Sequence, residues 1–245
     1  MNLFIKRLFD IVASIIALVI LFPFLLVVAI IIKCDSKGPI FFRQERLTKN
    51  GKRFMILKFR TMVEGAENTG TGLFSYHDDP RITKLGRFLR STSIDELPQL
   101  LNVVGGSLAL VGPRPLVTYQ LGDFDTLNKR YKKRFEVKAG ITGLAQVKGR
   151  NDIDWDQKIE YDNTYVDLFK KQGIWLDIKI IFETFISIFQ PHKAIYHKKC
   201  DESMDDLVAA KQALAEVARI AHLPDPPAEE EPPYEKQYKF AQGRR

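Results

Sequence analysis

Apolar residues run from Ile11 to Ile32 without a single charge, 22 positions in all. A straight helix of that length, rising about 1.5 Å per residue, crosses a bilayer core. Pro23 follows Phe22 near the middle of the run. Proline removes a helix hydrogen bond and crowds the preceding turn, so a kink or break is expected there. Lys6 and Arg7 precede the run, and Lys33, Lys37, Arg43 and Arg46 follow it. Basic residues on both flanks place both ends in the cytoplasm. A straight span satisfies the length alone. A helix-break-helix entering and leaving by one membrane face satisfies length, proline and flanks together. A cleaved signal peptide fits poorly, because no small-x-small site follows the apolar core.

Beyond this run the period changes. Ile40-Phe41-Phe42 and Phe54-Met55-Ile56-Leu57 are short apolar pieces separated by Thr48-Lys49-Asn50-Gly51, and they predict a β-hairpin turning at Asn-Gly. Residues 64–79 are polar and glycine-rich and predict a loop. Arg81 to Arg90 predicts a helix, with Arg81, Lys84, Arg87 and Arg90 on one side and Ile82, Leu85, Phe88 and Leu89 on the other. Ser93-Ile94-Asp95-Glu96 has the form of a capping box, while Pro98 offers an alternative helix start one turn later. Either start puts Asp95 and Glu96 at the positive end of a helix, which favours ionised carboxylates.

Arg114 stands between Pro113 and Pro115, a stiff mount that presents its guanidinium at low entropic cost. Asp123 to Lys138 reads as a charged surface helix. Residues 139–143 and 148–151 read as a glycine-rich basic loop of the kind that lets backbone amides approach an anion. Tyr165 to Phe189 reads as one apolar helix, either in the membrane interface or in a core. Met204 to Ala221 predicts an amphipathic helix. Leu223 to Glu235 holds five prolines and five acidic residues and predicts an extended tail.

Charge sharpens this picture. The chain carries 37 Lys and Arg against 30 Asp and Glu, a net charge of +7. Lys33 to Arg60 alone holds nine basic and two acidic residues. A basic segment beside an apolar one points to an anionic membrane surface or a phosphate-bearing ligand. Nucleic acid is not expected as a partner, since no motif for it is present. Two cysteines, Cys34 and Cys200, and four histidines without CxxC or HxxxH spacing give little support for zinc or a disulfide framework. No Walker A, dinucleotide-binding or Ser-His-Asp pattern appears.

Eight segments in fixed order give the chain a specific resemblance. They are Lys6-Arg7 with Asp10, the proline-broken apolar run, residues 38–44 (GPIFFRQ), 57–62 (LKFRTM), 79–83 (DPRIT), 95–99 (DELPQ), 112–115 (GPRP) and 140–147 (GITGLAQV). The chain resembles the monotopic phosphoglycosyl transferases, also called bacterial sugar transferases, from Lys6 to about Ile188. It has Ala139 and Lys148 where the family usually carries proline and asparagine. The resemblance is to the family's small, minimal form.

That resemblance implies a mostly helical α+β fold in three parts. Residues 1–37 would form a re-entrant membrane helix. Residues 38–200 would form a catalytic domain, with a small β-hairpin and interfacial amphipathic helices around a cytosolic-face active site. Residues 201–245 would form a C-terminal helix and acidic tail. It implies Mg2+ and transfer of sugar-1-phosphate from a UDP-sugar to polyprenol phosphate through a covalent intermediate, at the cytoplasmic face of the bacterial inner membrane. Membrane lipids and other glycan-pathway enzymes would be further partners. By position, Asp95 matches the nucleophile and Glu96 its partner, and the pair would also hold the metal. Lys58, Arg60, Arg90, Arg114, Arg150 and Asp162 match the substrate-binding region. The rival reading is a non-enzymatic, membrane-tethered basic module. It accounts for the apolar run and the basic cluster, but gives Asp95-Glu96 no task.

Overall fold

The computed structural model describes residues 3–66, 79–118, 123–149, 153–189, 215–217 and 219–223. Arg150, Cys200, most of the predicted 64–79 loop, most of the predicted C-terminal helix and the Pro-rich tail lie outside them.

The apolar run forms a single helix, α1 (Leu3–Asp35), which stays helical through Pro23. The predicted break is therefore not an interruption of the helix. One lost hydrogen bond is absorbed by the helix-favouring apolar sequence around it. By length and composition α1 can cross a membrane, and most of its apolar surface is bare. Ile15, Ile16, Val19, Ile20, Phe22, Leu26 and Val27 are all exposed. This surface marks a membrane-associated helix.

Both ends of α1 are tied to the rest of the protein. Near its start, Lys6, Asp10 and Ser14 recur every fourth residue and are buried. Lys6 Nζ lies 2.8 Å from Asp10 Oδ1 and 2.7 Å from Asp177 Oδ2. Tyr165 donates its hydroxyl to the other Asp177 oxygen at 2.8 Å. Arg7 donates to the carbonyls of Val103 and Val104 at 2.6 and 3.0 Å. Near its end, Val28 and Ile32 pack with Phe59 and Leu89.

The predicted hairpin is present. Strands β1 (Phe41–Leu47) and β2 (Arg53–Phe59) pair antiparallel, with Phe41 opposite Phe59 and Leu47 opposite Arg53. Asn50 and Gly51 take φ of 57° and 68°, the left-handed pair such a turn needs. Helix α2 (Lys84–Ser91) begins later than predicted, because the Thr83 side chain accepts from the Gly86 amide and caps it there. Arg81 is thus outside the helix, buried, and forked onto Asp79 at 2.9 and 2.7 Å. Phe88, predicted to face inward, is exposed. Helix α3 (Gln99–Val104) starts just after Pro98, so the proline start holds and Ser93 caps nothing.

Strand β3 (Ala109–Val111) pairs in parallel with β4 (Gly140–Thr142), so the first part of the predicted glycine-rich loop is a strand, while residues 150–151 of its second part lie outside the described residues. The glycine there serves packing: a Cβ on Gly140 would sit 2.1 Å from the Gly112 nitrogen. The predicted charged helix before it is broken into short turns around α4 (Lys129–Lys133), and one of its residues, Arg134, is buried. Helix α5 (Leu144–Lys148) follows β4. The predicted helix from Tyr165 is two helices, α6 (Trp155–Gln172) and α7 (Ile174–Phe189), divided by Gly173 at φ 61° and ψ −137°, a conformation glycine alone adopts readily. Inner residues Leu176 and Ile180 of α7 pack with Tyr165, Phe169, Leu144 and Val111. Its outer face, Trp175, Ile178, Phe182, Phe185 and Ile186, is bare.

The short segment 215–223 returns to the body. Ala221 is fully buried beside Leu47, Leu116, Leu127, Tyr131, Phe135 and Ile159, and Val217 and Ile220 pack against them. The Asn128 amide and side chain donate to the carbonyls of Ala221 and Ile220 at 2.8 and 3.1 Å. Removing residues 225–245 is therefore expected to leave the thermal unfolding midpoint and any transfer activity near those of the parent. Removing 215–245 uncovers this core and is expected to cost about 2 kcal/mol or more, read as a drop of several degrees in the midpoint.

Candidate active site

Strand β2, the end of α2, the turn before α3 and the Pro-Arg-Pro segment converge. On β2, Phe59 turns inward to α1, so the neighbouring Lys58 emerges on the opposite face. Asn102 of α3 locks that strand in place, accepting from the Leu57 amide at 2.9 Å and donating to the Met55 carbonyl at 2.8 Å. Between α2 and α3 the chain reverses at Ser93, φ 58°, and Ile94 to Glu96 form one tight 3-10 turn. Ile94 packs against the Val28, Ile32, Phe59 and Leu89 cluster. This anchors the turn and fixes where Asp95 and Glu96 project.

Glu96 Oε1 accepts from Lys58 Nζ at 2.7 Å and from Arg114 Nη2 at 2.9 Å. Arg114 comes from the Pro-Arg-Pro segment after β3. Arg90, from the last turn of α2, donates to Thr61 Oγ1 at 2.8 Å. Lys58, Arg90 and Arg114 are all near enough to act on Asp95 through their charge. Asp95 is 8% exposed, and no hydrogen bond reaches its carboxylate among the described residues.

The two acids are driven apart. For Asp95, burial outweighs the pull of Lys58, and the Glu96 charge adds to it, so its pKa is raised to about 6. Burial also works against Glu96, but Arg114 and Lys58 overcome it and hold its carboxyl far below the usual range. Arg114 is raised in turn, chiefly by Glu96. The helix end is expected to favour the ionised form of Asp95, but burial pushes the other way. Asp95 lies in a buried turn before α3, where desolvation is the largest influence on it. The result suits a nucleophile: a carboxylate ionised at neutral pH, yet more basic than an ordinary aspartate.

Among the described residues no group of three or more His, Cys, Asp or Glu is gathered as a metal site. Magnesium nevertheless needs only one or two carboxylates when phosphates and waters supply the remaining ligands. Asp95 and the second oxygen of Glu96 carry no protein hydrogen bond among the described residues, so the pair fits that role.

The other predicted site residues lie elsewhere. Arg60 donates to the Ser36 carbonyl at 2.6 Å and the Ser36 hydroxyl at 3.0 Å, closing the end of α1. Asp162, on α6, is buried against Arg134 Nη2 at 2.7 Å. Arg150 is outside the described residues. Arg134 itself was missed. The spacing of Tyr131 and Phe135, four apart in a charged stretch, is the signal that this segment has a buried side.

Comparison with known proteins agrees with the motif order. A family model described as bacterial sugar transferase matches residues 1–191. The Klebsiella pneumoniae UDP-glucose:undecaprenyl-phosphate glucose-1-phosphate transferase is 44% identical over 193 residues, covering 77% of this chain and 41% of that protein. The uncharacterized sugar transferase EpsL of Bacillus subtilis is 44% identical over 176 residues, covering 72% and 83%. The undecaprenyl-phosphate galactose phosphotransferase of Salmonella typhimurium is 40% identical over 195 residues, covering 74% and 40%. The chain thus spans about two fifths of the first and third relatives and most of the second. With its motifs in order and the match running from α1 through the end of α7, the chain belongs to the bacterial sugar transferase family.

Proposed function

We propose that this protein transfers sugar-1-phosphate from a UDP-sugar to polyprenol phosphate, of the undecaprenyl type named for its relatives, at the cytoplasmic face of a bacterial inner membrane. The observation that carries this reading is the acid pair itself. Asp95 is buried and poised near neutrality beside a Glu96 clamped by Lys58 and Arg114.

An Asp95 oxygen attacks the phosphorus that bears the sugar. The bond from that phosphorus to the bridging oxygen breaks, and UMP leaves. This gives an acyl phosphate on Asp95. A phosphate oxygen of the polyprenol phosphate then attacks the same phosphorus, the Asp95–phosphorus bond breaks, and the carboxylate is restored. Lys58, Arg90 and Arg114 offset the charge on the phosphoryl oxygens, the main catalytic resource of such sites. Magnesium, held by Asp95 and Glu96, would add further charge neutralisation when bound. Glu96, kept ionised, orients Lys58 and Arg114.

The membrane part rests on α1. Its two ends are tied to one body while its middle is bare, which suits a helix that dips into one leaflet and keeps both ends on one face. The bare face of α7 suits the interface plane. Cys34 is a free, exposed thiol and serves as one probe. With Cys200→Ser and Phe4→Cys added, a membrane-impermeant maleimide is expected to label both ends in inside-out vesicles. Labelling of the two ends from opposite faces would establish a straight span instead.

The activity is tested by supplying purified protein with a panel of UDP-sugars, polyprenol phosphate and Mg2+ and reading UMP. Lipid-dependent UMP release from at least one sugar is expected. No release from any, by protein that binds membranes normally, favours the non-enzymatic module.

A further inference from the structure

Arg134 and Asp162 form a buried ion pair that reaches the acid pair without touching it. Arg134 is 3% exposed and Asp162 is 2% exposed. One guanidinium nitrogen, Arg134 Nη2, meets both Asp162 Oδ2 at 2.7 Å and the backbone carbonyl of Arg114 at 2.7 Å. From Arg114 the line continues to Glu96 Oε1 at 2.9 Å. Each end is held. Asp162 is flanked on α6 by buried Ile159, Tyr165 and Val166, and Arg134 is followed by Phe135 in the core.

We infer that Arg134 and Asp162 are positioning residues for the transfer reaction, acting on it through Arg114. The inference rests on the proposed reaction. Prolines 113 and 115 restrict the backbone around Arg114, so fixing its carbonyl fixes the direction in which its side chain leaves. A planar guanidinium can serve a carboxylate and a carbonyl together, which the point charge of a lysine does less well. Asp162 supplies the counter-charge that lets Arg134 be buried at all. Asp162 thereby works at one remove, and direct contact with substrate is not required of it.

A mutant cycle tests this. Asp162→Asn and Arg134→Gln are each expected to lower kcat for UMP release on the order of tenfold in the parent. On an Arg114→Ala background both are expected to be nearly silent, because the side chain they position is gone. Arg134→Lys is expected to recover part of the loss. The same cycle is read in UMP affinity by calorimetry, which needs no turnover. If Asp162→Asn retains its full effect without the Arg114 side chain, it acts by substrate contact or general destabilisation, and the relay is wrong. A parent protein that releases no UMP overturns the transfer reading and the relay with it. An active parent with an additive cycle overturns the relay alone.

Discussion

Asp95→Asn is expected to abolish turnover and to make the protein more stable. The loss in rate is expected to be at least ~10³-fold, because an amide of the same shape cannot form the acyl phosphate. The gain in stability follows from the buried charge. The folded-state pKa of Asp95 is about 6, above its ordinary 3.8. The folded protein therefore binds that proton more tightly than the unfolded chain, and the ionised side chain strains the fold at neutral pH. The strain is absent below the ordinary value and fully developed above about pH 6. At about 1.4 kcal/mol per unit, the relief amounts to as much as ~3 kcal/mol. Thermal unfolding at pH 8 checks it: the midpoint of the Asn variant is expected to lie above the parent, with the gap closing near pH 4. A lower midpoint at pH 8 contradicts the raised pKa. In the parent, kcat/KM is expected to fall tenfold per unit as pH drops below about 6 and to level off above it.

Glu96→Gln is expected to act with the opposite sign on stability. Arg114 and Lys58 hold Glu96 ionised, so its charge stabilises the fold in full above its ordinary pKa of 4.5, and that contribution is lost progressively as pH falls below it. The Gln variant is expected to be less stable at neutral pH. Its turnover is expected to drop about 10²- to 10³-fold, as Lys58 and Arg114 lose the anchor that aims them. The Glu96 charge also pushes the Asp95 pKa up. Removing it is expected to move the acid limb of the residual activity to lower pH. A limb that stays in place means the two carboxyls do not interact as the geometry requires.

The parts legible in the sequence were those set by local rules. Hairpin, membrane helix and α3 follow from Asn50-Gly51, the uncharged run to Ile32 and Pro98, each a short-range signal. The motif order likewise drew Asp95, Glu96, Lys58, Arg90 and Arg114 into one expected site, and the fold brings these five close together. What the sequence hid depends on distant partners. Gly140 looks like a residue of an anion loop until Gly112 is seen packed against it. Arg60 carries a charge suited to phosphate and Asp162 matches the substrate region by position, but Ser36 and Arg134 engage them instead. Arg134 lay in a stretch so charged that its burial had no signal beyond the spacing of Tyr131 and Phe135. The raised pKa of Asp95 was hidden for the same reason: it arises from burial by segments far away in the chain.

The covalent step is the centre of this account, and intact-protein mass spectrometry tests it most directly. The protein is incubated with Mg2+ and a UDP-sugar that supports UMP release, with polyprenol phosphate withheld. The expected result is an added mass of one sugar phosphate, mapped to Asp95, absent from Asp95→Asn and discharged when polyprenol phosphate is supplied. An unmodified parent that still turns over once the lipid is added would contradict the covalent step and show that the phosphoryl group passes directly between the two substrates.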